Sequence, residues 1–249
     1  MTVIDTISPG VHRLGSPLVN WYLVEDGGRL TAVDAGLPGF AGDLDADLRR
    51  IGKRPEDVEA VVLTHSDSDH TGVASVLKDA GARVFIHEAD EQTLRKPGPK
   101  GGDASPLHML RLMWRPAFWR FFGGMTRGGG ARATKIEGAE TYRDGDVLDV
   151  PGRPRAVHVP GHTPGQSALH FAAPGALFAG DSLCTWNPLS GERRPQLMPG
   201  PFNESNADSR RSLDVLERVD ADLVLPGHGE PWREGAPEAA RIAREALRA

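Results

Sequence analysis

At 249 residues the chain fits one domain, residues 1–249, long enough to bury a sizeable core. Its 39% hydrophobic and 25% charged content is that of a folded globular chain, and a formal charge of -5 excludes a general nucleic-acid binder. A single cysteine, Cys184, rules out an internal disulfide and fits a reducing compartment. Residues 1–10 lack the basic and apolar pattern of a leader, and no apolar run approaches the roughly 18 residues that cross a bilayer, so a cytoplasmic protein is expected.

Short strands are predicted over 11–14, 19–24 and 30–33, with Glu25-Asp26-Gly27-Gly28 as the turn between the last two. Phe40, Leu44, Leu48 and Ile51 then recur at helical spacing until Gly52 stops them. A β-branched run, 58–63, reads as a buried strand, 72–80 as a helix and 83–86 as another strand. Acids at 88, 90 and 91 suit the first turn of the helix that follows.

The composition breaks between Pro97 and Gly130. Proline and glycine at both ends read as hinges around an aromatic stretch, and from Arg95 to Lys135 nine basic residues face the single acid Asp103. This insert, about 97–130, reads as a lid, with Trp114, Phe118 and Trp119 as candidate substrate contacts and Arg111 or Arg115 meeting an anionic group. A helix pair forming a homodimer interface is the competing reading. A membrane-surface helix is disfavoured because Pro116 is expected to interrupt the stripe. Further strands are predicted near 155–159, 166–171 and 176–179, and helices over 205–219 and 237–248, so the second half resembles the first.

Chemistry concentrates where the 58–63 strand ends, in Thr64-His65-Ser66-Asp67-Ser68-Asp69-His70-Thr71-Gly72. Two imidazoles and two carboxylates on one tight turn can converge on one or two divalent cations. A helix-capping polar loop, with Asp69 or Thr71 as N-cap, is the blander account. Against it stand three more metal-competent residues, each beside glycine after an apolar run: His162 in Pro160-Gly161-His162-Thr163-Pro164-Gly165, Asp181 after Gly180, and His228 in Pro226-Gly227-His228-Gly229. His12, His87, His108, His158 and His170 lack such settings and are read as structural or surface residues.

In combination these motifs resemble the metallo-β-lactamase-fold hydrolases, the superfamily that includes glyoxalase II and acyl-homoserine lactonases. The resemblance implies an α/β fold, an αββα four-layer sandwich whose strand-end loops meet along one edge. It also implies two metal ions: His65, Asp67 and His162 would hold the first, Asp69, His70 and His228 the second, and Asp181 would bridge them. A metal-bridging hydroxide would attack an ester, lactone or thioester carbonyl of a small molecule, with Asp69 accepting a proton. Asp34 would orient a ligand loop; a plain turn aspartate is the alternative. Asp67 stands where the family usually has histidine. Zinc is the first expectation, and the harder carboxylate admits iron or manganese. That substitution keeps two other readings open: a di-iron redox protein of the flavodiiron type lacking its flavin domain, or a non-catalytic metal-binding protein. Tyr22 and Tyr142, the only tyrosines, match no motif position for a proton donor.

Overall fold

Neighbouring apolar side chains on one strand enter different cores, and this alternation builds the layers. In the computed structural model, which describes residues 3–98, 102–103, 113–132 and 135–248, β1 (Val3–Ser8), β2 (Val11–Gly15), β3 (Asn20–Asp26), β4 (Arg29–Val33), β5 (Val58–Val62), β6 (Arg83–His87) and β7 (Glu140–Tyr142) form one sheet in chain order. Pairing is antiparallel up to β4 and parallel from β4 onward. The second sheet has the order β13 (Leu223–Pro226), β10 (Ala176–Gly180), β9 (Ser167–Phe171), β8 (Arg155–His158), with β13 parallel to β10. A ribbon of β11 (Cys184–Trp186) and β12 (Arg193–Gln196) lies apart from both.

On β5, Val58 and Val61 face one core with Leu44 and Leu48 of α1 (Leu44–Arg50), Leu77 of α2 (Ala74–Asp79) and Leu94 of α3 (Glu91–Arg95). Its Ala60 and Val62 face the core between the sheets, with Phe171, Phe178 and Leu225. On β10, Ala176 and Phe178 share that middle core, whereas Leu177 and Ala179 pack outward on Leu213 and Leu216 of α5 (Asn206–Leu216) and on Ala239, Ala240 and Ala243 of α6 (Ala236–Ala246). The order is helix, sheet, sheet, helix, the αββα arrangement expected. Each fully buried Val, Leu or Phe contributes about 1.5–3 kcal/mol. The two halves are less alike than the sequence suggests, with seven strands in one sheet and four in the other.

Gly27 and Gly28, with φ of 59° and 80°, close the hairpin in which Asp26 pairs with Arg29, a turn that needs left-handed backbone at both central residues. Pro116 occupies the first turn of α4 (Pro116–Arg127), where its missing N–H is unused and its fixed φ suits the helix; residues 113–115 before it form a turn, and the stretch 104–112 lies outside the described residues. The described parts of the insert ends are not loose. Gly39 N donates to Gly128 O, Ser68 Oγ donates to Gly130 O, and the carboxylate of Asp103 accepts from Asn206 N at the start of α5.

Candidate metal centre

Every loop that supplies the centre leaves the carboxyl end of a strand. After β4 comes Asp34, whose φ of 60° is a left-handed conformation that aspartate tolerates better than most side chains. Its carboxylate accepts from Thr64 N at 2.7 Å and Thr64 Oγ1 at 2.9 Å, and lies 2.8 Å from His70 Nδ1. Asp34 therefore holds both ends of the loop after β5. Within that loop His70 N and Thr71 N both donate to Asp67 O, folding it into the turn that points His65, Asp67, Asp69 and His70 inward. After β10, Gly180 passes directly into Asp181. After β13, Gly227 precedes His228, and a Cβ on Gly227 would collide with Asp181 Oδ1 and His70 Cε1, so no side chain fits there.

The structure brings together all seven residues expected at the centre. His162 Nε2 is 3.0 Å from Asp67 Oδ2, and His65 Nε2 is 3.7 Å from the same oxygen. On the other side, His228 Nε2 and His70 Nε2 lie 3.5 and 3.8 Å from Asp69 Oδ2. Asp181 stands between, 3.4 Å from His162 Nε2, 3.3 Å from His70 Nε2 and 3.2 Å from His228 Nε2. Ligands about 2.0–2.2 Å from a tetrahedral cation are separated by roughly 3.3–3.6 Å, so the spacing of these atoms fits metal coordination. His65, Asp67 and His162, and separately Asp69, His70 and His228, could each hold an ion. The Nε2 atoms of His65, His70 and His228 and Oδ1 of Asp181 are buried without a hydrogen-bond partner, an arrangement costly unless a cation meets them.

The far side of each imidazole is fixed. His70 Nδ1 faces Asp34, His228 Nδ1 faces Leu18 O at 2.5 Å, and His162 Nδ1 faces Asn203 Oδ1 at 3.3 Å. Asn203 presents that oxygen because its amide NH2 donates to Met198 O and Asn206 Oδ1. Thr64 Oγ1 donates to Asp34 and so accepts from His65 Nδ1 at 3.0 Å. Acceptors at Nδ1 leave Nε2 as the coordinating atom. Burial pushes His65 well below its usual pKa, and a charged His70 beside it would push the same way. At His70 and His228 burial acts in the same direction, but the carboxylate of Asp181, joined by Asp34 and Asp69 at His70 and by Asp69 at His228, outweighs it and raises both. Asp181 is held far below the carboxylate range: burial opposes its charge, and His228 and His70 overcome that. So concentrated a set of buried anions suits divalent cations.

Two residues at this centre went unrecognised in the sequence. Asp90, buried at the start of α3, accepts from Ser66 N at 3.0 Å, Thr163 Oγ1 at 2.7 Å and Gly165 N at 2.7 Å, clasping the loops of His65 and His162. In sequence it looked like any acid in a first helical turn. Asn203 carries no signal at all. Trp114 and Trp119 are 87% and 58% exposed, Arg115 is exposed, and Phe118 packs on Trp119 and Phe122. Arg111 and His108 lie outside the described residues. Because α4 starts at Pro116, the face it turns to the centre carries Phe121 and Met125, which line a cavity of about 280 Å³ with Met198, Pro201, Phe202 and the metal-site residues. Phe121 lies 6.0 Å from the His228 ring. Tyr22 and Tyr142 donate to Pro226 O and Leu63 O, and burial pushes both phenols upward, so they brace the strand ends and are poor proton donors.

Fold and site define a class. The chain belongs to the metallo-beta-lactamase superfamily, whose family model matches residues 15–228. It is 27% identical over 253 residues to the probable metallo-hydrolase YqjP of Bacillus subtilis (strain 168), covering 93% of this chain and 73% of that protein. It is also 27% identical over 229 residues to the acyl-coenzyme A thioesterase MBLAC2 of Gallus gallus, covering 84% and 72%. Among solved structures, a metallo-beta-lactamase family protein from Thermus thermophilus superposes with a TM-score of 0.71 at 27% identity, over 98% of this chain and 81% of that one. No helix among the described residues is long and apolar enough to cross a membrane.

Proposed function

We propose that this metallo-β-lactamase-fold hydrolase uses two divalent cations to cleave an ester, lactone or thioester of a small molecule. The observation that carries the reading is the position of Asp181, whose carboxylate lies within 3.4 Å of His162, His70 and His228 at once, between two groups of three donors. His65, Asp67 and His162 would hold the first ion and Asp69, His70 and His228 the second, with Asp181 between the two groups. Bound there, the cations supply a water activated at neutral pH and polarise the scissile carbonyl.

The chain does the rest. Asp34, Thr64, Asn203 and the Leu18 carbonyl hold the imidazoles in one tautomer, so the donors need no rearrangement on loading. Asp69 lines the cavity and accepts the proton released as water adds to the carbonyl. Phe121, Met125 and Phe202 keep water from the apolar part of the substrate. α4 with its flanks, within 97–130, acts as a cover over the centre, its inner face supplying those contacts. The Gallus gallus thioesterase supports placing thioesters first among the acyl substrates.

Asp67 supports zinc less than a histidine would and favours iron or manganese, which keeps a di-iron redox activity as the second reading. Protein reconstituted separately with zinc, manganese and iron is to be screened on acyl esters, lactones and thioesters. Hydrolysis by at least one form is expected. Failure of every form, with turnover of oxygen or nitric oxide by the iron form given an electron donor, would replace hydrolysis by the redox reading.

A further inference from the structure

Two cavities open on the metal centre, and their walls differ in chemistry. The chamber under α4 is apolar apart from the metal-site residues, walled by Phe121, Met125, Met198, Pro201 and Phe202. Beyond the carboxylates lies a polar groove of about 690 Å³, lined by Ser66, Ser68, Gln92, Thr93, Lys96 and Glu204 among others. Asp67 and Asp69 line both, so a carbonyl held above them has apolar surface on one side and hydrogen-bonding surface on the other. Small-molecule sites usually span roughly 300–1,000 Å³, and at about 280 Å³ the chamber alone takes only one arm of a substrate. Lys96 is exposed at the groove and, among the described residues, has no carboxylate partner. Lys96 offers one positive charge at the groove, which matches one anionic group.

We propose that the substrate is bipartite: its acyl arm fills the Phe121–Met125 chamber, and its leaving group is an extended, amide- or hydroxyl-bearing arm that lies in the groove and ends in one anionic group beside Lys96. This rests on the hydrolase reading above. The direction follows from polarity. The arm that departs as a thiol or alcohol is matched by the hydrogen-bonding groove, and the acyl chain by the apolar chamber. Water's oxygen bonds to the acyl carbon, the C–S or C–O bond breaks, and the leaving sulfur or oxygen takes up a proton, with no change of oxidation state.

The test uses metal-loaded protein and two matched series of thioesters, from acetyl to octanoyl, on either a phosphopantetheine arm or the neutral pantetheine arm that lacks only the phosphate. The phosphorylated arm is expected to raise kcat/KM about two- to five-fold at low ionic strength, the range of one exposed ion pair, and salt should erode the gain. In Lys96→Gln the ratio between arms falls to about one and loses its salt dependence. In Phe121→Leu the preference among acyl lengths shifts and the ratio between arms does not. Binding of the matched, uncleavable thioethers, followed by calorimetry, gives the same two contrasts without turnover. An arm ratio that Lys96→Gln leaves unchanged, or that Phe121→Leu moves, would overturn the bipartite assignment. If the thioethers bind with both contrasts while no metal form cleaves any ester, the hydrolase reading fails and the two-armed site stands.

Discussion

Asp90 accepts the hydroxyl of Thr163 at 2.7 Å, and through that bond the loop after β8 is tied to the loop after β5. The same carboxylate takes backbone N–H groups from both loops, so each of its oxygens is engaged and no water is needed to bridge the two sheets here. Replacing Asp90 by Ala strands the buried Thr163 hydroxyl and Gly165 N–H and the half-buried Ser66 N–H, at about 1–3 kcal/mol for each buried donor left unsatisfied. The Asp90→Ala protein should melt several degrees lower and bind metal about 10- to 100-fold more weakly, because His65 and His162 lose their common brace. Thermal melts paired with metal titration decide it. Unchanged metal affinity would mean the clasp is structural only.

Asp67 supplies an oxygen 3.0 Å from His162 Nε2 and 3.7 Å from His65 Nε2, on the rim of the cavity. Elemental analysis should find two metals per chain in the parent and about one in Asp67→Ala. Asp67→His should keep two and shift selectivity toward zinc, since a neutral imidazole is softer and removes a negative charge. Full metal content in the alanine variant would remove Asp67 from the ligand set.

Phe121 lies on α4 and Trp114 in the turn before it. Phe121 faces His228 across 6.0 Å, whereas Trp114 is 87% exposed. Phe121→Leu is expected to change KM for acyl substrates several-fold with kcat less affected, the signature of lost binding held equally in ground and transition states. Trp114→Ala should leave both constants near the parent's. The opposite ranking in steady-state kinetics would show that the turn before α4 reaches the substrate.

His87 and His158 stack with centroids 4.2 Å apart and planes 7° from parallel. His87 Nδ1 accepts from Ala89 N, and His158 Nε2 donates to Pro164 O. Burial first and the neighbouring imidazole second lower the His87 pKa below its ordinary value of about 6.5. The folded state therefore binds fewer protons than the unfolded chain. The stability from neutral His87 is complete above about pH 6.5 and is lost as pH falls through the lowered folded value. Melting temperature should fall more steeply from pH 7 to 5 in the parent than in His87→Asn, whose amide oxygen can still accept from Ala89 N. Parallel profiles would show that His87 does not titrate in this range.

The ligands were legible because the chemistry that selects them also marks them: His65, His162, Asp181 and His228 each follow an apolar run and sit beside glycine or at a strand end, a pattern the chain repeats. The layers were legible for a related reason, since residues such as Val61 and Val62 must serve opposite faces of β5. What stayed hidden depends on contacts between distant segments. Asp90 lies in an ordinary helix-start setting and Asn203 just after a short 3-10 turn, and only folding brings Asn203 against His162. The polar β12 and the three-residue β7 pair through backbone groups that leave little trace in side-chain pattern. In α4, Pro116 was legible as a boundary, but which helix face turns to the centre depends on packing between distant segments, and that packing places Phe121 and Met125 on the cavity.

Because the donors project from strand ends whose backbones are fixed by three separate cores, the frame does not depend on which side chains project from it. Gly227 belongs to the frame, since its missing Cβ is required there, whereas Asp67 stands on the rim of the cavity, outside the three cores. That separation makes position 67 and its neighbours on the same turn the natural places to redesign the activity.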